Sequence, residues 1–127
     1  MARWETHVED CMRMLGAPFA FVHAYLDYYI EKYPPHVYLE YHRKFRHNKE
    51  GVEKCLELFG PLGEKAAKVH LIRDVELYVC RPKMFHELMG TDIDFYYEKS
   101  LQYFPLMNEN IEKYIQTSKV ELAKLDL

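Results

Sequence analysis

With 127 residues, 49% of them hydrophobic and 29% charged, the chain has the size and balance of one folded domain, which excludes wholesale disorder. A formal charge of −3 and the lack of a Lys/Arg block argue against a nucleic-acid partner. The longest uncharged apolar run, 15–22, falls far short of the roughly 20 residues that cross a bilayer, so no membrane partner is expected either.

The three cysteines, Cys11, Cys55 and Cys80, are odd in number and lack CxxC spacing. That argues against a disulfide framework and against a zinc ribbon. The opening stretch MARWETHVED meets acidic residues at once, unlike a secretory leader. Together these features point to a reduced, cytoplasmic protein.

Taken in chain order, 4–15 places Trp4, Val8, Cys11, Met12 and Leu15 at helical spacing. A second helix is predicted over 18–33, with Pro18 in its first turn, where a missing N–H costs nothing. Its stripe is Phe19, Val22, Leu26, Tyr29 and Tyr33. A third is predicted over 38–59 through Tyr38, Tyr41, Phe45, Val52, Leu56 and Phe59, stopping at Gly60-Pro61. Residues 64–80 start as a helix, while VELYVC is β-branched and aromatic enough for a strand; the lack of a partner strand favours helix. A short helix over 82–89 closes at Gly90. Thr91 or Asp92 then caps a helix bearing Ile93, Tyr96, Tyr97 and Leu101, which Pro105 breaks. The last segment spaces Ile111, Ile115, Ser118, Leu122 and Leu125 for a final helix. The expected architecture is all-α, a single compact bundle-like domain of six or seven helices over 1–127.

Seven histidines is a high share for this length. Three have a carboxylate four residues later: His23 with Asp27, His36 with Glu40, and His70 with Asp74. That spacing puts two side chains on one helix face, suited to joint metal ligation or an orienting hydrogen bond. Random scatter would give about one such pair, so three is an excess. On the second predicted helix, His23 lies about 80° and Asp27 about 120° from the centre of the apolar stripe, at the border of the buried face. His42 and His47, five residues apart, would not aim at one ion from a regular helix; a bulge or ligands from separate neighbours would be needed. Around them, Arg43, Lys44, Arg46 and Lys49 form a basic run able to hold a phosphate.

The order His7, Gly16, His23-x-x-x-Asp27, His42-Arg43-x-x-Arg46-His47-x-x-x-Gly51 and Phe59-Gly60 resembles a family of small uncharacterised prokaryotic proteins. That family carries an early His, an HxxxD element and a run of the form RHRxxRHHxxGI followed by FG. The likeness covers residues 7–60, with Tyr41 and Asn48 standing where the run has Arg and His. It implies a shared fold and site, and no particular reaction. His…HxxxD…His on helices is also similar in flavour to histidine–aspartate phosphohydrolases, without their adjacent His-Asp dipeptide.

The leading expectation is therefore a metal-binding helical protein with His7, His23, Asp27, His42 and His47 as ligands. The donor mixture suits a divalent transition metal, Zn²⁺, Fe²⁺, Mn²⁺ or Ni²⁺. His70 and Asp74 are second choices, as ligand and orienting group. With an open coordination position the protein becomes a metal-dependent hydrolase, Arg43 and Arg46 holding a small anionic, phosphate-type substrate. The alternative is a non-enzymatic interaction module or homo-oligomer, suggested by eleven tyrosines and seven phenylalanines. Cys11, four residues after His7, is a remote candidate nucleophile.

Overall fold

The structure, a computed structural model, describes residues 4–28, 45–79, 92–110 and 113. The described residues are helical, with no strand among them. Among the described residues the helices are α1 (Trp4–Leu15), α2 (Ala20–Leu26), α3 (Lys49–Val79) and α4 (Ile93–Leu101), against six or seven predicted over the whole chain. Residues 104–110 are helical as well. Two of the predicted helices fall outside the described residues, and those predicted over 38–59 and 64–80 are one. Gly60-Pro61 kinks α3 and does not end it: Gly60 takes φ 80° and ψ −176°, and helical backbone resumes with Pro61. Proline lacks an N–H and sterically drives its predecessor out of the helical region, so a glycine before it makes a local bend. VELYVC is helical as far as Val79. The predicted helices over 82–89 and 111–125 lie outside the described residues, apart from Lys113.

The second helix begins later than predicted, and 29–33 of its predicted span lies outside the described residues. Phe19, not Pro18, sits at its start, in a left-handed conformation (φ 51°, ψ 42°), and the helix closes at Asp27. Of the predicted third helix, 38–44 lies outside the described residues, and 45–48 is a bend. There Arg46 has φ 62°, and Asn48 caps α3, its Oδ1 accepting from Gly51 N–H at 2.8 Å. At the other end of the chain, Asp92 caps α4 by accepting from Asp94 N–H, as the sequence suggests.

The second half of α3 is the spine, packed against α1, α2 and α4. Ala66, Ala67, Val69, Leu71, Ile72 and Val75 are buried there, on faces all round the helix. Cys11, Val22, Leu26, Val52, Cys55, Tyr97, Phe104 and Met107 complete the core. No helix among the described residues is long and apolar enough to cross a membrane.

The stripe expected on α1 holds only in part. Trp4 and Met12, assigned to its buried stripe, are 45% and 49% exposed, while His7 and Asp10 are buried beside Cys11. Cys11 and Leu15 of the predicted stripe do face the core, and the Asp10 carboxylate is buried with them. Its burial is compensated by Arg73, whose Nε and Nη2 donate to the two Asp10 carboxylate oxygens, both at 2.7 Å.

Candidate metal centre

Four segments bring histidines and carboxylates to one buried place. α1 supplies His7, and α2 supplies His23, with Asp27 at its C-terminal end. The bend before α3 supplies His47, and the spine supplies His70 and Asp74, one turn apart. His7, His23, His47, His70 and Asp74 are each no more than 1% exposed. Asp27, at 16%, is the donor that solvent reaches.

The bend that delivers His47 is held from both sides. Arg46 reaches back to α2, Nη1 donating to the Tyr25 carbonyl at 3.0 Å, with its guanidinium 4.0 Å from the Tyr25 ring centre and 5.1 Å from that of Tyr28. Gly51 packs so close behind that a Cβ there would run into the Arg46 carbonyl. His47 Nδ1–H donates to the Phe45 carbonyl at 3.1 Å, which turns Nε2 inward. His47 thus reaches the site because the helix has not yet begun.

Four atoms form the centre. His47 Nε2 lies 3.4 Å from Asp27 Oδ1 and 3.2 Å from Asp74 Oδ2. His70 Nε2 lies 3.2 Å from Asp27 Oδ1 and 3.4 Å from Asp74 Oδ2. Asp27, His47, His70 and Asp74 each offer one donor atom within 4.8 Å of the others. Charge-assisted N–H···O contacts settle at about 2.7–2.9 Å, so these four are long for ion pairs. They match the edges of a coordination shell: ligands about 2.1 Å from an ion stand about 3.4 Å apart in a tetrahedron and about 3.0 Å in an octahedron. Two imidazoles and two carboxylates can hold a divalent metal ion here.

The surroundings shift the histidines in opposite directions. Burial, then the neighbouring His70 and His7, pushes His23 down to about 3. Burial, then His7, pushes His70 down to about 4, against the pull of Asp27 and Asp74. Burial would lower His47 too, but the Asp27 and Asp74 carboxylates outweigh it and raise the group to about 9. Two carboxylates facing one small space thus draw positive charge into it, as a proton on His47 or as a metal ion.

His7 and His23 stand beside the frame. His7 Nε2 lies 3.3 Å from Asp74 Oδ1, the oxygen turned away from His47 and His70. Its ring stacks on that of His70, centroids 3.5 Å apart and planes 10° from parallel. His23 Nδ1 lies 2.9 Å from His70 Nδ1, and its Nε2 is 3.0 Å from the Pro18 carbonyl oxygen. His7, His23 and His70 form a second group with one nitrogen each within 4.8 Å of the others.

Of the ligands expected from sequence, His7, His23, Asp27 and His47 come together, and His42 lies outside the described residues. His70 and Asp74, the second choices, occupy the middle of the site, and their i,i+4 spacing was the signal. The pairing of Asp10 with Arg73 gave none, the two being sixty-three residues apart. Of the two residues expected to hold an anion, Arg43 lies outside the described residues and Arg46 makes the Tyr25 and Tyr28 contacts above. Cys11 is pushed up to about 12 by burial and by Asp10, which keeps it a thiol. A cleft of about 220 Å³ adjoins His47, lined by Asn48, Lys49, Leu101, Phe104, Pro105 and Asn108. The chain matches no protein-family model, and neither a curated protein nor a solved structure is found similar to it.

Proposed function

We propose that this is a metal-dependent protein whose ion is held by Asp27, His47, His70 and Asp74, and that it hydrolyses a small anionic, phosphate-type substrate. The observation that carries the metal reading is the four-atom frame, with N···O edges of 3.2–3.4 Å. Two histidines and two carboxylates suit Zn²⁺, Fe²⁺ or Mn²⁺. Exposure of Asp27 supports an open coordination position on its side of the ion. An ion held by these four residues would supply the acidity that activates a water toward a phosphate ester near neutral pH. Hydrolysis would form a P–O bond from that water and break the ester P–O bond, the leaving oxygen taking the proton that the water gives up. Lys49, on the wall of the cleft beside His47, supplies a cation for the anionic group.

Metal analysis of protein purified without a polyhistidine tag tests the first half. One divalent ion per chain is expected, lost in His70→Ala and Asp74→Asn. Turnover of p-nitrophenyl phosphate by the Zn²⁺- or Mn²⁺-loaded protein tests the second. Loss of that turnover in Asp74→Asn supports hydrolysis, and a loaded protein without turnover on phosphate monoesters counts against it.

A further inference from the structure

The two nitrogens of His23 are spoken for, and by partners of different kinds. The Pro18 carbonyl oxygen, 3.0 Å from Nε2, can only accept, so Nε2 carries a hydrogen and donates it. A neutral imidazole has one N–H, so Nδ1 is then a bare acceptor, 2.9 Å from His70 Nδ1. That bond requires the hydrogen to sit on His70 Nδ1. His70 Nε2 is left with its lone pair, 3.2 Å from Asp27 Oδ1 and 3.4 Å from Asp74 Oδ2. From Pro18 to His70, each contact has one donor and one acceptor. At the end of the chain a lone pair meets two carboxylate oxygens, and a cation between them completes it.

We propose that His23 is a positioning residue: with the Pro18 carbonyl, it fixes the tautomer and ring orientation of His70 so that Nε2 is presented to the metal ion. The proposal rests on the metal reading above and adds a residue that does not itself touch the ion. Backbone geometry serves the same end. Phe19 adopts its left-handed conformation between Pro18 and the first residue of α2, and the Pro18 carbonyl lies within reach of a side chain five residues on. Leu26 and Val22, both fully buried, hold α2 against the spine and so fix the distance to His70. The stacked rings of His7 and His70, nearly parallel and 3.5 Å apart, keep their in-plane lone pairs in two separate planes. They do not converge on a second ion between them.

The test uses Zn²⁺ as probe and the full chain. In Zn²⁺-loaded protein with ¹⁵N-labelled histidine, long-range ¹H–¹⁵N correlation should show His70 protonated at Nδ1 and His23 at Nε2. His23→Leu, which keeps the volume but removes the acceptor, should weaken Zn²⁺ binding roughly 10- to 100-fold, as loss of an outer-shell partner does. His23→Gln, whose amide oxygen can accept from His70 Nδ1, should recover most of that loss. A His23 protonated at Nδ1, or equal affinities for wild type and His23→Leu, would overturn the proposal. So would a second Zn²⁺ bound through His7, His23 and His70. The tautomer measurement is made on wild-type protein, so a variant that fails to fold does not end the test. Failure of the wild type to take up Zn²⁺ at all would instead strike the function proposed above.

Discussion

Asp10 and Arg73 meet through two parallel hydrogen bonds of 2.7 Å, joining α1 to the spine one turn away from both His7 and His70. The pair fixes how α1 lies on α3, and so where His7 stands against Asp74. The Asp10 carboxylate is 3% exposed, and Arg73 also approaches Glu76, itself buried, at 3.4 Å. Removing one member leaves the other charge buried beside an imperfect partner. Asp10→Ala should therefore cost about 3 kcal/mol of stability, read from urea denaturation. Arg73→Lys, which keeps the charge but loses the two-pronged geometry, should cost less but still be measurable.

Gly51 makes a second prediction about positioning. Its α-carbon packs against the Arg46 backbone, and a Cβ would strike the carbonyl there, not a side chain able to swing aside. Gly51→Ala should push the bend away from α3 and misplace His47. The expected result is weaker Zn²⁺ binding together with a loss of about 2 kcal/mol or more. Calorimetric titration and urea denaturation check the two parts. By contrast, Leu58→Ala, at a residue 49% exposed, should leave the affinity unchanged.

The pH dependence of the metal-free protein follows from the three shifted histidines. His47 has a folded value of about 9, above its ordinary 6.5. Its stabilising contribution is complete below pH 6.5 and is lost as pH rises toward 9. His23 and His70 lie at about 3 and about 4, below 6.5. The unfolded chain takes up their protons first, so stability falls as pH drops from 6.5 toward 4. These groups together predict a maximum near pH 6.5 for metal-free protein, checked by urea denaturation at pH 5, 6.5 and 9. A bound divalent ion replaces the proton on His47, so loading should flatten the alkaline limb.

Much of the helical framework was legible in the sequence, and its errors have local causes. The bounds of α1 follow from spacing, but its inward face does so only in part. Trp4 and Met12 mark the apolar stripe, yet His7 and Asp10 are inside because their partners, Asp74 and Arg73, lie more than sixty residues away. A periodicity argument weighs each residue alone and cannot see such a partner. Gly60-Pro61 reads as a stop because that pair normally ends helices; here the bend is confined to one residue and packing carries α3 onward. The site was partly legible. Spacing of four linked His23 to Asp27 and His70 to Asp74, and both pairs reach the centre. His47, which a regular helix would not aim together with His42, reaches the site because Phe45–Asn48 is a bend, while His42 lies outside the described residues. Arg46 looked like an anion ligand because its run is basic, whereas its guanidinium lies against two tyrosine rings that sequence order did not place near it.

X-ray absorption at the zinc edge, on tag-free protein loaded with one equivalent of Zn²⁺, tests the central claim most directly. Asp27, His47, His70 and Asp74 predict a shell of nitrogen and oxygen only, at about 2.0–2.1 Å. Outer scattering should come from two imidazole rings, reduced to one in His47→Ala. A sulfur neighbour near about 2.3 Å, or the same imidazole scattering in His47→Ala as in wild type, would contradict it.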